Sequence, residues 1–153
     1  MSSIIQSIMT LLSETATGNN WTGINTETAL RGITAEQAVR RLNANHLNIA
    51  ELAAHLTCWN KVIARRLNGE NYQPGKEEDF PVINLLLETE WEALKTAFME
   101  SFVILETTLN SKEDNILNNP IFEGGTSAYR NLHGQISHLH YHMGQIVLLK
   151  KLL

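Results

Sequence analysis

The sequence predicts an all-α fold, an antiparallel four-helix bundle formed by one domain over residues 1–153. The length suits a single domain with a substantial core. Four long segments repeat apolar residues at spacings of three and four, which is typical of amphipathic helices. The sequence shows no strand-like alternation and no glycine-rich phosphate loop after a strand. An α/β fold is therefore not expected.

The first predicted helix covers residues 3–15. Its apolar residues lie on one helical face, and Ser3 with Gln6 has the spacing of a capping box. Glycines and asparagines then interrupt the pattern. The same capping logic predicts a short connecting helix from Thr34 to about Arg41, before the second long helix.

The second and third predicted helices cover about residues 45–67 and 82–109. The second ends at Asn68-Gly69, a common stop signal. Between the two helices, residues 70–81 contain two prolines, a glycine and an acidic run, which predicts a surface loop.

The last predicted helix begins with Thr126 as its cap and extends nearly to Leu153. Before it, residues 110–125 contain an Asn-Asn-Pro and a Gly-Gly breaker. Four long helices with one apolar stripe each are expected to bury those stripes against one another as a bundle.

Composition limits the partners and the location. A net charge of −4 gives no broad basic surface for nucleic acid. No stretch approaches the roughly 20 apolar residues that span a membrane, and the first 20 residues do not resemble an export signal. We therefore expect a cytoplasmic protein. Cys58 is the single cysteine, so a metal would be bound by nitrogen or oxygen.

Histidines on two predicted helices form a candidate metal site. His138 and His142 lie one helical turn apart and within about 40° of each other around the helix axis, so they can share one ion. His55 occupies a similar polar strip on the second long helix and is the natural third ligand. His133 and His140 fall on the other flank of the last helix and are excluded. The alternative is that such histidines are merely hydrogen-bonded core or surface groups.

Glu51 precedes His55 by four residues. It is a candidate for a fourth ligand, for a hydrogen-bond acceptor behind a ligand, or for a general base. The alternative to these functional roles is a surface carboxylate that pairs with a nearby cation. Leu139 stands where the HExxH motif has its glutamate, so that metalloprotease design is not expected. All three tryptophans are predicted to lie in the core or a pocket wall, and Cys58 to be an inert buried thiol. They are Trp21, Trp59 and Trp91.

Two segments resemble the DinB-like (YfiT-like) superfamily of bacterial metal-binding bundles: residues 49–59, IAELAAHLTCW, and residues 138–146, HLHYHMGQI. Trp21 and the segment LRGITAEQA at residues 30–38 are also similar, so the resemblance covers nearly the whole chain. It implies a metal site in which His55 comes from the second long helix, and His138 and His142 from the fourth. The implied ion is divalent, with nickel and zinc as first candidates and iron or manganese as others. The resemblance also implies a protein that often forms a homodimer.

The resemblance specifies the site better than the reaction. Family members with known activity include thiol-dependent transferases and isomerases, and many others are described as metal-dependent hydrolases. Our first hypothesis is a metal-dependent enzyme for a small-molecule substrate. It is either a hydrolase with Glu51 as proton acceptor or an S-transferase that uses a low-molecular-weight thiol. The alternative is a non-catalytic metal-binding or oligomerising bundle. Trp59, Tyr141 and the loops around residues 19–26 and 110–125 are expected to line the substrate pocket.

Overall fold

A computed structural model describes residues 3–153. Within that range the chain is all-helical, with one isolated antiparallel bridge between Pro120 and Ser127 and a short 3-10 helix after the third long helix. The helices are α1 (Ile4–Ala16), α2 (Thr26–Leu30), α3 (Ala35–Val39), α4 (Ile49–Leu67), α5 (Lys76–Asp79), α6 (Glu88–Asn110) and α7 (Ala128–Leu152).

The four long helices, α1, α4, α6 and α7, pack together as a helical bundle. Both α1 and α4 pack against α6 and α7. The largest side chains of the core are fully buried and come from every long helix, and each contributes about 1.5–3 kcal/mol by leaving water. They include Leu12, Leu52, Leu56, Trp91, Phe98, Phe102, Leu132 and Leu139.

The helices between residues 4 and 39 largely agree with the prediction for this segment. The Ser3 side chain caps α1 by accepting a hydrogen bond from the Gln6 backbone N–H. One connecting helix was predicted, but the structure has two: α3 is the predicted helix, and α2 precedes it. Thr34 and Gln37 form the predicted capping box of α3. Helix α2 was missed because its five residues are too few to show a repeating stripe.

Helix α4 begins at Ile49, four residues later than predicted. Asn48 is its N-cap: the Asn48 side chain accepts from the Glu51 backbone N–H, and the Glu51 carboxylate accepts from the Asn48 N–H. The chain leaves α4 through Gly69, whose φ of 86° lies in the left-handed region that favours glycine.

The segment between α4 and α6 differs from the predicted loop. It contains the single-turn helix α5, and α6 begins at Glu88 instead of residue 82. The Ile83 N–H donates to the Glu51 carboxylate, and the Ile83 carbonyl accepts from the Asn48 side chain. Because two side chains at the start of α4 bond to the backbone groups of Ile83, this apolar stretch is not helical although its sequence continues the helical pattern.

The segment after α6 docks on the start of α1. The Asp114 carboxylate accepts from the backbone N–H groups of Ile4 and Ile5, so it also satisfies the helix start. The cap of α7 is Ser127, one residue after the predicted Thr126. Among the helices described over residues 3–153, none has the length and apolar character needed to cross a membrane.

Candidate metal centre

The three histidines predicted as ligands meet between α4 and α7. One ring nitrogen from each of His55, His138 and His142 lies within 4.8 Å of the others, and the Nε2 atoms of His55 and His138 are 2.9 Å apart. His55 and His142 are buried and His138 is half-buried. The structure places His140 outside this group, with its Nε2 3.2 Å from the Thr15 hydroxyl.

Helix α5 positions His55. The Asp79 Oδ1 lies 2.7 Å from the His55 Nδ1, and the Trp59 indole N–H donates to the same oxygen at 2.7 Å. The Phe80 ring stacks on the imidazole at a centroid distance of 4.1 Å. A carboxylate beside Nδ1 keeps the proton on that nitrogen, so the His55 Nε2 lone pair faces the other two histidines.

A buried chain of hydrogen bonds positions His138. The Ser101 hydroxyl donates to the Phe98 carbonyl, so its oxygen accepts from the Asn60 amide at 2.9 Å. The Asn60 Oδ1 then accepts from the Gln135 amide at 2.8 Å. This order turns the Gln135 Oε1 toward the His138 Nδ1, 3.4 Å away. An amide oxygen accepts only, so the proton of His138 belongs on Nδ1 and its Nε2 is unprotonated.

His142 has the same arrangement within α7. Its Nδ1 lies 2.7 Å from the Gln145 Oε1, on the next turn of the helix. Each of the three Nδ1 atoms therefore donates to an oxygen, and each Nε2 keeps its lone pair. Three imidazoles oriented by carboxylate or amide acceptors are a usual donor set for a divalent transition metal, so the residues present fit such an ion.

The electrostatics of the cluster favour neutral rings at His138 and His142. Burial, followed by the neighbouring His142 and His55, lowers the pKa of His138 to about 4, although Asp79 acts in the opposite direction. Burial also lowers the pKa of His142, more than the hydrogen bond to Gln145 raises it. At neutral pH the rings of His138 and His142 are therefore uncharged, and uncharged imidazole is the form that binds a metal.

Glu51 lies in a different environment. It is buried and forms an ion pair with Arg41, and the N–H groups of Asn48 and Ile83 donate to its carboxylate. Burial raises the pKa of Glu51, but these hydrogen bonds outweigh burial and hold it below its ordinary value. The carboxylate is not part of the three-histidine group. Its partner is a cation, as in the structural alternative, although the pair lies inside the protein.

A pocket of about 500 Å³ opens beside the histidines. Trp59 and Phe80 form an aromatic wall, and the first four turns of α7 with the residue Thr126 before them supply most of the other lining residues. These are Thr126, Arg130, Asn131, Gly134, Gln135, His138 and His142. The cluster is thus open to a small molecule on one face.

The predictions for the aromatic residues have mixed outcomes. Trp59 lines the pocket and Trp91 is fully buried, as predicted. The prediction for Trp21 is wrong, because its side chain is fully exposed. Tyr141 packs edge-on against His142 but is 65% exposed and does not line the pocket. Neither predicted loop, 19–26 or 110–125, lines the pocket, although Thr126 follows the second one directly.

Sequence reasoning missed the residues that orient the histidines. Gln135 and Gln145 each stand three residues from a histidine of the cluster, the spacing of neighbours on a helix surface. That spacing is a usable signal. Asp79 offered no such signal, because it lies outside α4 and only the tertiary structure brings it next to His55.

Comparison with known proteins identifies the family. Searches of curated proteins and of solved structures found no match. A family profile described as the DinB superfamily matches residues 21–146. The matched range contains the three histidines and the acceptors of their Nδ1 protons. Because the match covers most of the chain, this protein belongs to the DinB superfamily.

Proposed function

We propose that this protein binds one divalent metal ion through the Nε2 atoms of His55, His138 and His142 and is a metal-dependent enzyme for a small molecule. The observation that carries the proposal is that each Nδ1 atom has its own oxygen acceptor. Three protein ligands leave coordination positions open, which is typical of catalytic sites. Nickel and zinc are our first candidates, since imidazole suits both.

The contacts between α4 and α7 indicate the relative directions of these two helices. His55 faces His138 and His142, whereas Asn60, later in α4, bonds to Gln135, earlier in α7. These contacts support opposite directions for α4 and α7. We propose an antiparallel bundle with α4 opposed to α7 and α1 opposed to α6.

Three contacts support the rest of that arrangement. The start of α1 bonds to Asp114, just beyond the end of α6. At the start of α4, Asn48 reaches Ile83, just before α6, and Asn60 later reaches Ser101 within it. In this arrangement α4 and α6 run in the same direction, which agrees with the long connection between them.

When bound, the metal would lower the pKa of a coordinated water or thiol toward neutrality. The carboxylates of this chain favour the thiol. Asp79 is the single carboxylate lining the pocket among residues 3–153, and it is already bonded to His55 and Trp59. Glu51 is held by Arg41. A thiol has a pKa of about 8.5, far below that of water, so it needs no dedicated base to lose its proton.

We therefore propose thiol-dependent S-transfer. The thiol proton goes to solvent, the sulfur forms a bond to an electrophilic carbon, and the leaving group departs with its bonding electron pair. Asp79, Gln135 and Gln145 hold the three imidazoles in place. The rings of Trp59 and Phe80 shield one side of the pocket from water.

The test compares two reactions on zinc- or nickel-loaded protein. One assay combines cysteine as the thiol with monochlorobimane as the electrophile, and the other uses a panel of activated esters without thiol. We expect metal-dependent bimane conjugation that is lost in His142→Ala. His133→Ala, a change on the same helix outside the cluster, should keep it.

The other outcomes are also informative. Thiol-independent ester turnover that is lost in His142→Ala would contradict the transferase and favour a hydrolase. Tight metal binding with neither reaction, even across several thiols and electrophiles, would support the non-catalytic metal-binding alternative.

A further inference from the structure

We propose that the pocket beside the histidines binds an elongated, anionic small molecule, whose negative group is recognised by Arg130 and whose body lies over Gly134. The inference rests on the proposed function, because it places the reactive end of the same molecule at the metal. It adds the charge, approximate length and specificity-determining residues of the substrate.

Arg130 is the first observation. Its side chain lines the pocket and is exposed. Within residues 3–153 its guanidinium has no hydrogen-bond or ion-pair partner. The five other arginines each have an ion-pair or hydrogen-bond partner in the fold; they are Arg31, Arg40, Arg41, Arg65 and Arg66. An unpaired guanidinium in a pocket is suited to a carboxylate or phosphate, which its planar fork can bind with two hydrogen bonds.

Gly134 is the second, independent observation. It lies in the interior of α7, where glycine costs about 1 kcal/mol relative to alanine. Its backbone angles do not require glycine, and a Cβ atom built there meets nothing within 4 Å. Packing therefore does not explain the residue. Because Gly134 lines the pocket, the missing side chain instead leaves open space between the histidines and Arg130.

The helix geometry gives the length of the ligand. Arg130, Gly134 and His138 follow one another at intervals of four residues, so they lie along the same face of α7. Eight residues at 1.5 Å each separate the backbones of Arg130 and His138 by about 12 Å. A molecule that reaches both groups needs a spacer of several carbon atoms between its reactive end and its negative group.

The charge of the pocket supports an anion. The other charged group in the lining is Asp79, whose Oδ1 already accepts from Trp59 and contacts His55. The charge that is left for a ligand is therefore the positive charge of Arg130. An aromatic wall of Trp59 and Phe80 faces the spacer, as expected for an apolar chain between two polar ends.

The experiment uses cobalt-loaded protein and two probes of equal length, 6-mercaptohexanoate and 6-mercaptohexanol. The visible cobalt spectrum reports metal uptake, and the sulfur-to-cobalt charge-transfer band reports the affinity of each thiol. We expect the wild type to bind the carboxylate probe about 10-fold or more tightly than the alcohol. Arg130→Gln should remove this preference while keeping the affinity for the alcohol, and Arg130→Lys should keep part of it.

Two further variants complete the experiment. Gly134→Leu should take up cobalt normally and bind both probes at least about 10-fold more weakly, because the leucine side chain occupies the pocket. Arg31→Gln, which removes an equal charge far from the pocket, should keep the preference.

The outcomes separate the two claims. If the wild type takes up cobalt but binds both thiols equally, or if Arg130→Gln keeps the carboxylate preference, the anionic subsite is overturned and the metal centre stands. If the wild type takes up no cobalt, the proposed function fails, and this inference fails with it.

Discussion

The carboxylate of Asp79 contacts the imidazole of His55 at 2.7 Å, from Oδ1 to Nδ1, and this contact joins α5 to the face of α4 that carries His55. A carboxylate behind a ligand histidine fixes its ring and strengthens its basicity. The acidic turn at residues 76–79 therefore belongs to the site, although its composition is that of a surface loop.

Asp79→Ala should weaken metal binding by about 10- to 100-fold, the usual effect of removing such an acceptor. Competition with a fluorescent zinc chelator measures the affinity. Glu77→Ala, an exposed acidic residue of the same turn, is the matched control and should change it less than about twofold. Equal affinities in the wild type and Asp79→Ala would contradict the role given to Asp79.

Ser101→Ala tests the buried chain of hydrogen bonds that ends at His138. The variant leaves the Asn60 amide without its acceptor in a fully buried position, so unfolding free energy should fall by about 1–3 kcal/mol. Urea denaturation measures the change. Ser137→Ala, on the exposed face of α7, should change it by less than about 0.5 kcal/mol. A similarly small change in Ser101→Ala would argue against the chain.

Glu51→Gln separates a structural from a catalytic role. The change removes a charged acceptor of Arg41 and should destabilise the fold by about 1.5–3 kcal/mol. Metal affinity and thiol transfer, measured below the unfolding transition, should stay within about twofold of wild type. A loss of transfer of 100-fold or more in folded, metal-loaded Glu51→Gln would instead support Glu51 as proton acceptor.

The effect of Glu51→Gln on the free energy of unfolding should depend on pH. The folded-state pKa of Glu51 lies below its ordinary value, so the ionised carboxylate stabilises the native state. This stabilisation is complete above the ordinary glutamate pKa of about 4.3 and is lost as pH falls through the lower folded pKa. The difference in unfolding free energy between wild type and Glu51→Gln should therefore shrink below about pH 4.3. A difference that grows on acidification would contradict the assignment.

Cys58 should be an unreactive thiol in the native protein. Burial, followed by the nearby carboxylates of Glu78 and Asp79, raises its pKa to about 11. At pH 8 only about one thiol in 1,000 is ionised, and thiolate is the reactive form. Ellman's reagent should react slowly with the folded protein and rapidly in urea. Equally fast reaction in both states would contradict this environment.

Much of the fold could be predicted because four long helices carry strong apolar periodicity, and the histidine pair could be predicted because α7 alone sets its spacing. The starts of α4 and α6 could not be placed from periodicity. Asn48 was interpreted as part of a helical strip, but its side chain caps α4 and binds Ile83. The apolar residues before Glu88 continue the pattern, but they lie outside α6, and hydrogen bonds to the start of α4 hold Ile83.

The residues that surround the histidines were harder to predict, because tertiary structure brings them together. His55 meets the other two histidines because its own position on α4 faces α7. Asn48 and Glu51, the other members of its predicted polar strip, instead bond to residues outside the cluster. The partners of Asp79 and the Arg41 partner of Glu51 come from other helices or connections, which no helical period encodes. Trp21 shows the converse limit, since a large apolar ring in a connector had no packing partner that the sequence could reveal.

The most direct test of the central claim is elemental analysis of the purified protein after reconstitution with zinc or nickel and removal of excess ion. We predict close to one metal ion per chain in the wild type and in His133→Ala, and almost none in His55→Ala or in His138→Ala/His142→Ala. Circular dichroism should confirm that each variant is folded. A wild type without metal, or folded histidine variants that retain it fully, would contradict the three-histidine centre.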